Sequence, residues 1–209
     1  MIQLRTGIFE TNSSSSHSLV IRRTREDEHV LTHDEIIRDI DYSIENGVLY
    51  IGEYDGLYFG RAPFRVLHDF LDKVRYAYAS FYYEDKAAVV SETVHELLPE
   101  ITRISLFRNS YEEERWQERK RDYEARKKTN RAKEYEDPEW EIRVGVDDHD
   151  LISWMDLYGF SLKEFFTDPR YVVICDGDEY CIWYDMVKLG IAGGPLVIAD
   201  GIFDEEEIK

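Results

Sequence analysis

Pro63-Phe64-Arg65-Val66-Leu67-His68-Asp69-Phe70-Leu71-Asp72-Lys73-Val74-Arg75-Tyr76-Ala77-Tyr78-Ala79-Ser80-Phe81 is the stretch from which the fold is read. Leu67, Leu71, Val74, Tyr78 and Phe81 recur at spacings of four and three, with Phe70 beside them, so one side of a helix is apolar. Pro63 suits the first turn, where its missing N–H is not needed. The stretch predicts the longest amphipathic helix of the chain, over 64–82.

Working outward toward the N-terminus, Val48 to Tyr54 reads as a strand, Asp55-Gly56 as a turn and Leu57 to Phe59 as its short partner. Thr32 with Glu35 makes a capping box for a helix over 33–46, with Ile36, Ile37, Ile40 and Ile44 on one face and Asn46-Gly47 as the stop. Ile2 to Phe9 and Leu19 to Arg22 read as strands joined by the polar segment 10–18. The expected arrangement makes 2–9 and 19–22 neighbours in one sheet, with the 64–82 helix packed on it.

Toward the C-terminus, a helix is expected near 86–98 and a strand from Arg103 to Arg108. Residues 111–136 predict a helix rich in Glu, Arg and Lys, solvated and laced with ion pairs, which Asp137-Pro138 ends. Its large apolar residues are few, and it lacks an a/d heptad. Trp140 to Val146 reads as a strand, Leu151 to Tyr158 and Leu162 to Phe166 as short helices, and Tyr171 to Cys175 with Tyr180 to Trp183 as a hairpin. Gly193-Gly194-Pro195 precedes a short apolar run, Leu196 to Ala199. Strands and helices follow no βαβ period. The fold class expected is α+β, a mixed and mainly antiparallel sheet packed with helices, plus a projecting charged helix. One domain is expected over 1–209, with 111–137 as a charged helical insertion.

Charge narrows the function. The chain carries a formal −18, and residues 138–209 hold 17 acidic and 5 basic residues, whereas 111–137 balance at 9 and 9. A surface of that sign repels phosphate backbones, so direct nucleic-acid binding is not expected. It suits solubility, or a basic site on a partner protein. The first residues do not form a signal peptide, and no apolar run approaches the ~18 residues that span a bilayer, so no membrane association is expected. Cys175 and Cys181 lack metal-ligand spacing and read as reduced cytosolic thiols. A cytoplasmic location follows as an expectation.

One segment carries chemistry. Arg5-Thr6-Gly7-Ile8-Phe9-Glu10-Thr11-Asn12-Ser13-Ser14-Ser15-Ser16-His17-Ser18 sets a polar run between two apolar strands. Successive backbone N–H groups in a turn form an anion-binding nest, and Asn12 can set such a turn. Thr11, Ser13, Ser14, Ser15, Ser16 and Ser18 add hydroxyls, and Arg5 can clamp a phosphate or carboxylate bidentately. His17 is the side chain with an ordinary pKa near neutrality, and Glu10 can orient it or act as a base. The same run also reads as a flexible loop whose polar groups satisfy one another. Adjacency of Ser and His does not make a nucleophile pair, since such groups assemble in space.

The string Gly7-Ile8-Phe9-Glu10-Thr11-Asn12-Ser13-Ser14-Ser15-Ser16-His17-Ser18 resembles the opening motif of a group of uncharacterised small proteins from tailed bacteriophages and Firmicutes. The resemblance covers 12 of 209 residues and carries no activity. It implies a phage-type origin and a motif worth more than a linker.

Other polar clusters have simpler readings. Asp147-Asp148-His149-Asp150 caps the helix that follows rather than binding metal. Asp176, Asp178 and Glu179 could hold calcium only weakly, and no cofactor is indicated. His95 is expected at the surface and His68 packed and neutral beside the apolar face of its helix. The tail Asp204-Glu205-Glu206-Glu207 reads as a solvated acidic end. Two functions follow. One is a phage-type accessory protein that binds a small anionic ligand, a nucleotide or phosphate, on the Ser-rich loop, with hydrolysis or group transfer at phosphate as its chemistry. The other is a non-enzymatic acidic phage protein that binds and inhibits a basic host factor, in defence or nucleic-acid binding.

Overall fold

The structure, a computed structural model, describes residues 17–22, 29–52, 56–59, 65–82, 86–129, 131–133, 136–146, 151–176 and 197–198. Along the chain the elements are β1 (His17–Arg22), α1 (His33–Ile40), β2 (Ile44–Glu45), β3 (Val48–Tyr50), β4 (Gly56–Tyr58) and β5 (Arg65–Leu67). Then come α2 (Phe70–Tyr82), α3 (Ala87–Leu97), β6 (Arg103–Ser105), α4 (Ser110–Lys127), β7 (Arg143–Gly145), α5 (Leu151–Tyr158), α6 (Leu162–Thr167), β8 (Tyr171–Asp176) and β9 (Val197–Ile198). The fold is α+β. Chain contacts divide it into two compact units, one of residues 1–30, 59–69 and 146–209, the other of 31–58 and 70–145.

The first unit holds a four-stranded sheet in the order β5-β8-β1-β9. β8 pairs antiparallel with β1 on one side and with β5 on the other. Val172, Val173 and Leu67 in its middle rows are buried. At one end of β8, Tyr171 packs with Phe160 and Phe165 at ring separations of 4.8 and 6.2 Å. Ser161 and Glu164 close a capping box that starts α6. Arg65–Leu67 is thus a strand rather than the first turn of the long helix: its bonds to β8 prevail over the 3.6-residue period, and the helix begins at Phe70. The expected pairing of 2–9 with 19–22, and the expected strand 180–183, fall outside the described residues.

In the second unit α2 is the central helix. It packs against α1, α3, β4 and β7. Being enclosed on several sides, it buries more than a stripe: Phe70, Leu71, Val74, Tyr76, Ala77 and Phe81 are all at 5% exposure or less. Each large apolar side chain so buried stabilises the fold by about 1.5–3 kcal/mol. The Thr32–Glu35 capping box starts α1 as expected, with Thr32 N–H donating to the Glu35 carboxylate at 2.8 Å. The helix then stops at Ile40 and tightens into a 3-10 turn, and Ile44 enters β2. Asn46 and Gly47 have φ of 52° and 76°, so Asn-Gly forms a two-residue hairpin turn of type I′ between β2 and β3 rather than a helix stop.

β3 pairs on its other side with β6, in parallel, and β4 pairs in parallel with β7. Leu57 therefore finds Val144, not the strand just before it. At the ends of the β3–β6 pair, Ile51 N–H donates to Ser105 O and Gly52 N–H to Phe107 O.

The charged helix is shorter than expected and is covered along one side. α4 ends at Lys127, and Pro138–Glu141 forms a separate 3-10 turn capped by Asp137 and packed on the helix. Tyr123 is 3% exposed, and the Trp116 indole donates to Pro138 O at 3.1 Å and packs tilted against Phe107, ring centres 5.5 Å apart. Lys120 reaches Asp137 and Glu139, both at 2.9 Å, and Arg126 bridges Asp122 and Glu136. Much of the charge of this region is thus engaged in ion pairs.

Candidate functional site

Arg5, Glu10, Thr11, Asn12, Ser13, Ser14, Ser15 and Ser16 lie outside the described residues. The end of the motif does not: His17 and Ser18 are the first two residues of β1. The register sets His17 opposite Asp176 and Ser18 opposite Cys175, and Cys175 is opposite Arg65 on its other side. The sheet therefore brings an acid, a thiol residue and a base, from two distant segments, to the place where the Ser-rich run enters β1. Sequence reading treats Asp176 as a turn carboxylate and Arg65 as part of a helix. The pairing of β8 with both β1 and β5 spans separations of more than 100 residues, which no local pattern reveals.

Several polar groups elsewhere among the described residues are tied into the fold. Glu113 accepts from Arg103 in a bidentate pair at 2.7 and 3.0 Å and from Ser105 Oγ at 3.2 Å. The Arg103 guanidinium holds its carboxyl below the usual range, while burial and this carboxylate push the Tyr50 phenol up. This network fastens α4 to the β3–β6 pair. Arg108 likewise pairs with Glu112, and Asn109 caps the helix by accepting from Glu112 N–H. Asp168, 6% exposed, is gripped by Arg170 and closes the turn into β8. Lys73 is fully buried in α2, and Ser80 Oγ, on the same helix, is buried without a hydrogen-bond partner.

An open groove of ≈350 Å³ lies between α4 and the 136–138 segment. Glu118, Arg119, Asp122, Arg126, Glu136 and Pro138 line it. Among these residues Arg126 bridges Asp122 and Glu136, whereas small-molecule sites are lined mostly by apolar side chains. The groove does not have that character.

His68 is exposed, with Nδ1 3.9 Å from Asp69, because it falls between β5 and α2 and not beside an apolar helix face as expected. His95 is exposed as expected, its Nδ1 2.9 Å from Ile101 O. Asp147, Asp148, His149, Asp150, Asp178 and Glu179 lie outside the described residues, among which there is no cluster of three metal-ligating side chains. No helix among the described residues is long and apolar enough to cross a membrane. Comparisons with protein-family models, with curated proteins and with solved structures found no match.

Proposed function

We propose that this chain is a phage-type accessory protein that binds a small anionic ligand, a nucleotide or another phosphate-bearing molecule, on the segment Arg5 to Ser18. Backbone N–H groups and hydroxyls of Asn12 to Ser16 cradle the anion, Arg5 clamps it, and His17 serves as the acid/base group for hydrolysis or group transfer at phosphate. The observation that supports the reading is the register at the end of the segment, where His17 and Ser18 stand opposite Asp176 and Cys175 with Arg65 in the next strand. A linker has no need of such company. The host cytoplasm is the compartment that suits it.

The test is thermal. A ligand that binds only the folded chain raises its melting temperature by mass action, about 2.7 kcal/mol at a hundredfold excess over Kd. Nucleotides, sugar phosphates and polyphosphate at millimolar concentration are expected to include one that does so. Ser14→Ala with Ser15→Ala is expected to abolish the rise and leave the ligand-free melting point in place. A panel that leaves the wild type unmoved ends the reading. The formal charge of −18 supports the second function, an acidic protein that occupies a basic site on a host factor. Salt-sensitive capture of such a factor is its test.

A further inference from the structure

By sequence, residues 111–137 are balanced, with 9 acidic and 9 basic residues. Folding does not keep that balance at the surface, because it draws acids and bases into ion pairs unequally. Arg103 and Arg108, which precede α4, take Glu113 and Glu112. Within the segment Arg126 takes Asp122 and Glu136, while Lys120 takes Asp137 and lies 4.0 Å from Glu124. The pairs thus use carboxylates of the segment faster than its cations. Arg121, Lys127, Lys128 and Arg131 are exposed and make no ion pair among the described residues. Arg115 is exposed as well, its guanidinium 5.8 Å over the exposed Tyr111 ring. The exposed carboxylates of α4 that remain outside these pairs are Glu114 and Glu118.

One or two cations in the last turn suffice to complement the helix dipole. Arg115 and Arg121 lie farther back along α4, and Arg131 lies past its end, where its N–H donates to Arg126 O at 2.9 Å. From Arg115 to Lys128 the helix rises about 20 Å, as far as about six residues of an extended chain. In a chain of formal charge −18, one element therefore presents a local excess of positive charge. At about 0.1 M salt, exposed charges more than about 10 Å away are largely screened from it.

We propose that the exposed cations from Arg115 to Arg131 form a docking surface for a short acidic segment of a partner protein. Charge complementarity selects an anionic partner, and two features favour carboxylates over a nucleic acid. Glu114 and Glu118 interrupt the cationic run, so a continuous phosphate backbone would meet like charge. The exposed ring of α4, Tyr111, already carries Arg115 over it, whereas single strands are held by bases stacked on aromatic rings. Guanidinium groups also match carboxylates bidentately. The surface stands whether or not residues 5–18 bind an anion.

The probe is a fluorescein-labelled decaglutamate peptide, titrated with the full chain at about 0.1 M salt and followed by anisotropy. Binding is expected, and is expected to vanish at about 1 M salt, where the screening length falls to about 3 Å. Arg121→Gln with Lys128→Gln is expected to weaken it at least about fourfold, at about two- to fivefold for each exposed pair lost. Arg38→Gln with Lys163→Gln changes the net charge equally at exposed positions of α1 and α6, and is expected to weaken it less than about twofold. Circular dichroism checks that each variant is folded. Should the first pair unfold the chain, Arg115→Gln with Arg131→Gln is read in its place. Absence of binding at about 1 mM chain, or equal weakening by the α1 and α6 pair, overturns the proposal. Tighter binding of a labelled deca-deoxythymidylate that the α4 pair abolishes overturns it in favour of a nucleic acid.

Discussion

Gly52→Ala is the substitution whose cost can be worked most directly from the structure. Gly52 is buried where β3 runs on past Tyr50, against the chain that leaves β6. A Cβ there would lie 2.2 Å from Leu106 O, 2.7 Å from Leu106 C and 2.6 Å from Phe107 C. All three atoms are backbone, so no rotamer change relieves the clash. Carbon contacts settle at about 3.5–4.0 Å, so the two chain segments must part by about 1 Å. That stretches Gly52 N–H to Phe107 O, now 3.1 Å, beyond hydrogen-bond range, and strains Ile51 N–H to Ser105 O, now 2.9 Å. A buried donor left without its partner costs about 1–3 kcal/mol, and overpacking a similar amount. The expected loss is about 3–5 kcal/mol. Urea denaturation followed by circular dichroism measures it as a fall in the midpoint at constant slope. Gly159→Ala is the comparison: its φ is +68° but no atom lies within 4 Å of the added Cβ, so only the left-handed backbone is penalised, by about 1–2 kcal/mol. If Gly52→Ala proves no more costly than Gly159→Ala, the close approach of the two chain segments is wrong.

Two further outcomes follow from the second unit. Tyr123→Ala is expected to cost about 3 kcal/mol, or about 6–12 °C in melting temperature, because the ring is 3% exposed, whereas exposed Arg121→Ala should stay within about 0.5 kcal/mol. Calorimetry that finds the two equal would return α4 to the solvated helix its composition suggests. His33, at the start of α1, lies 3.1 Å from Asp34 and 2.9 Å from Glu100, and these carboxylates raise its pKa above the ordinary histidine value. A raised folded-state pKa gives stability that is present below about 6.5, the unfolded value, and lost as pH rises through the folded one. The melting-point gap between wild type and His33→Gln should be wider at pH 5.5 than at pH 8, and an equal gap refutes the link.

What was legible in the sequence was local. The Thr32–Glu35 capping box, the 87–97 helix and the short helices after 151 are all set by residues within a few positions of one another, and each forms close to its expected place. The failures are non-local. Arg65 to Leu67 carries the phase of a helix, yet its hydrogen-bond partners lie on β8. Leu57 has the pattern of a hairpin strand, yet pairs in parallel with Val144. Asn46-Gly47 is a strong turn signal under either reading, and only the strands on its two sides decide between a helix stop and a hairpin. In α4, composition correctly shows that apolar residues are scarce. It does not show that Trp116 and Tyr123 are both used, or that Lys120 and Arg126 find carboxylates beyond the helix end.

The same divide runs through the candidate site. The Ser-rich run is conspicuous as a string because its residues are contiguous, and contiguity is what a sequence displays. Its nearest acid along the chain is Glu10. The partners that pairing gives the end of the string are of another kind: β1 and β8 are remote in sequence, and the register that sets His17 opposite Asp176 and Ser18 opposite Cys175 has no local signal, because it is made by strands more than 100 residues apart.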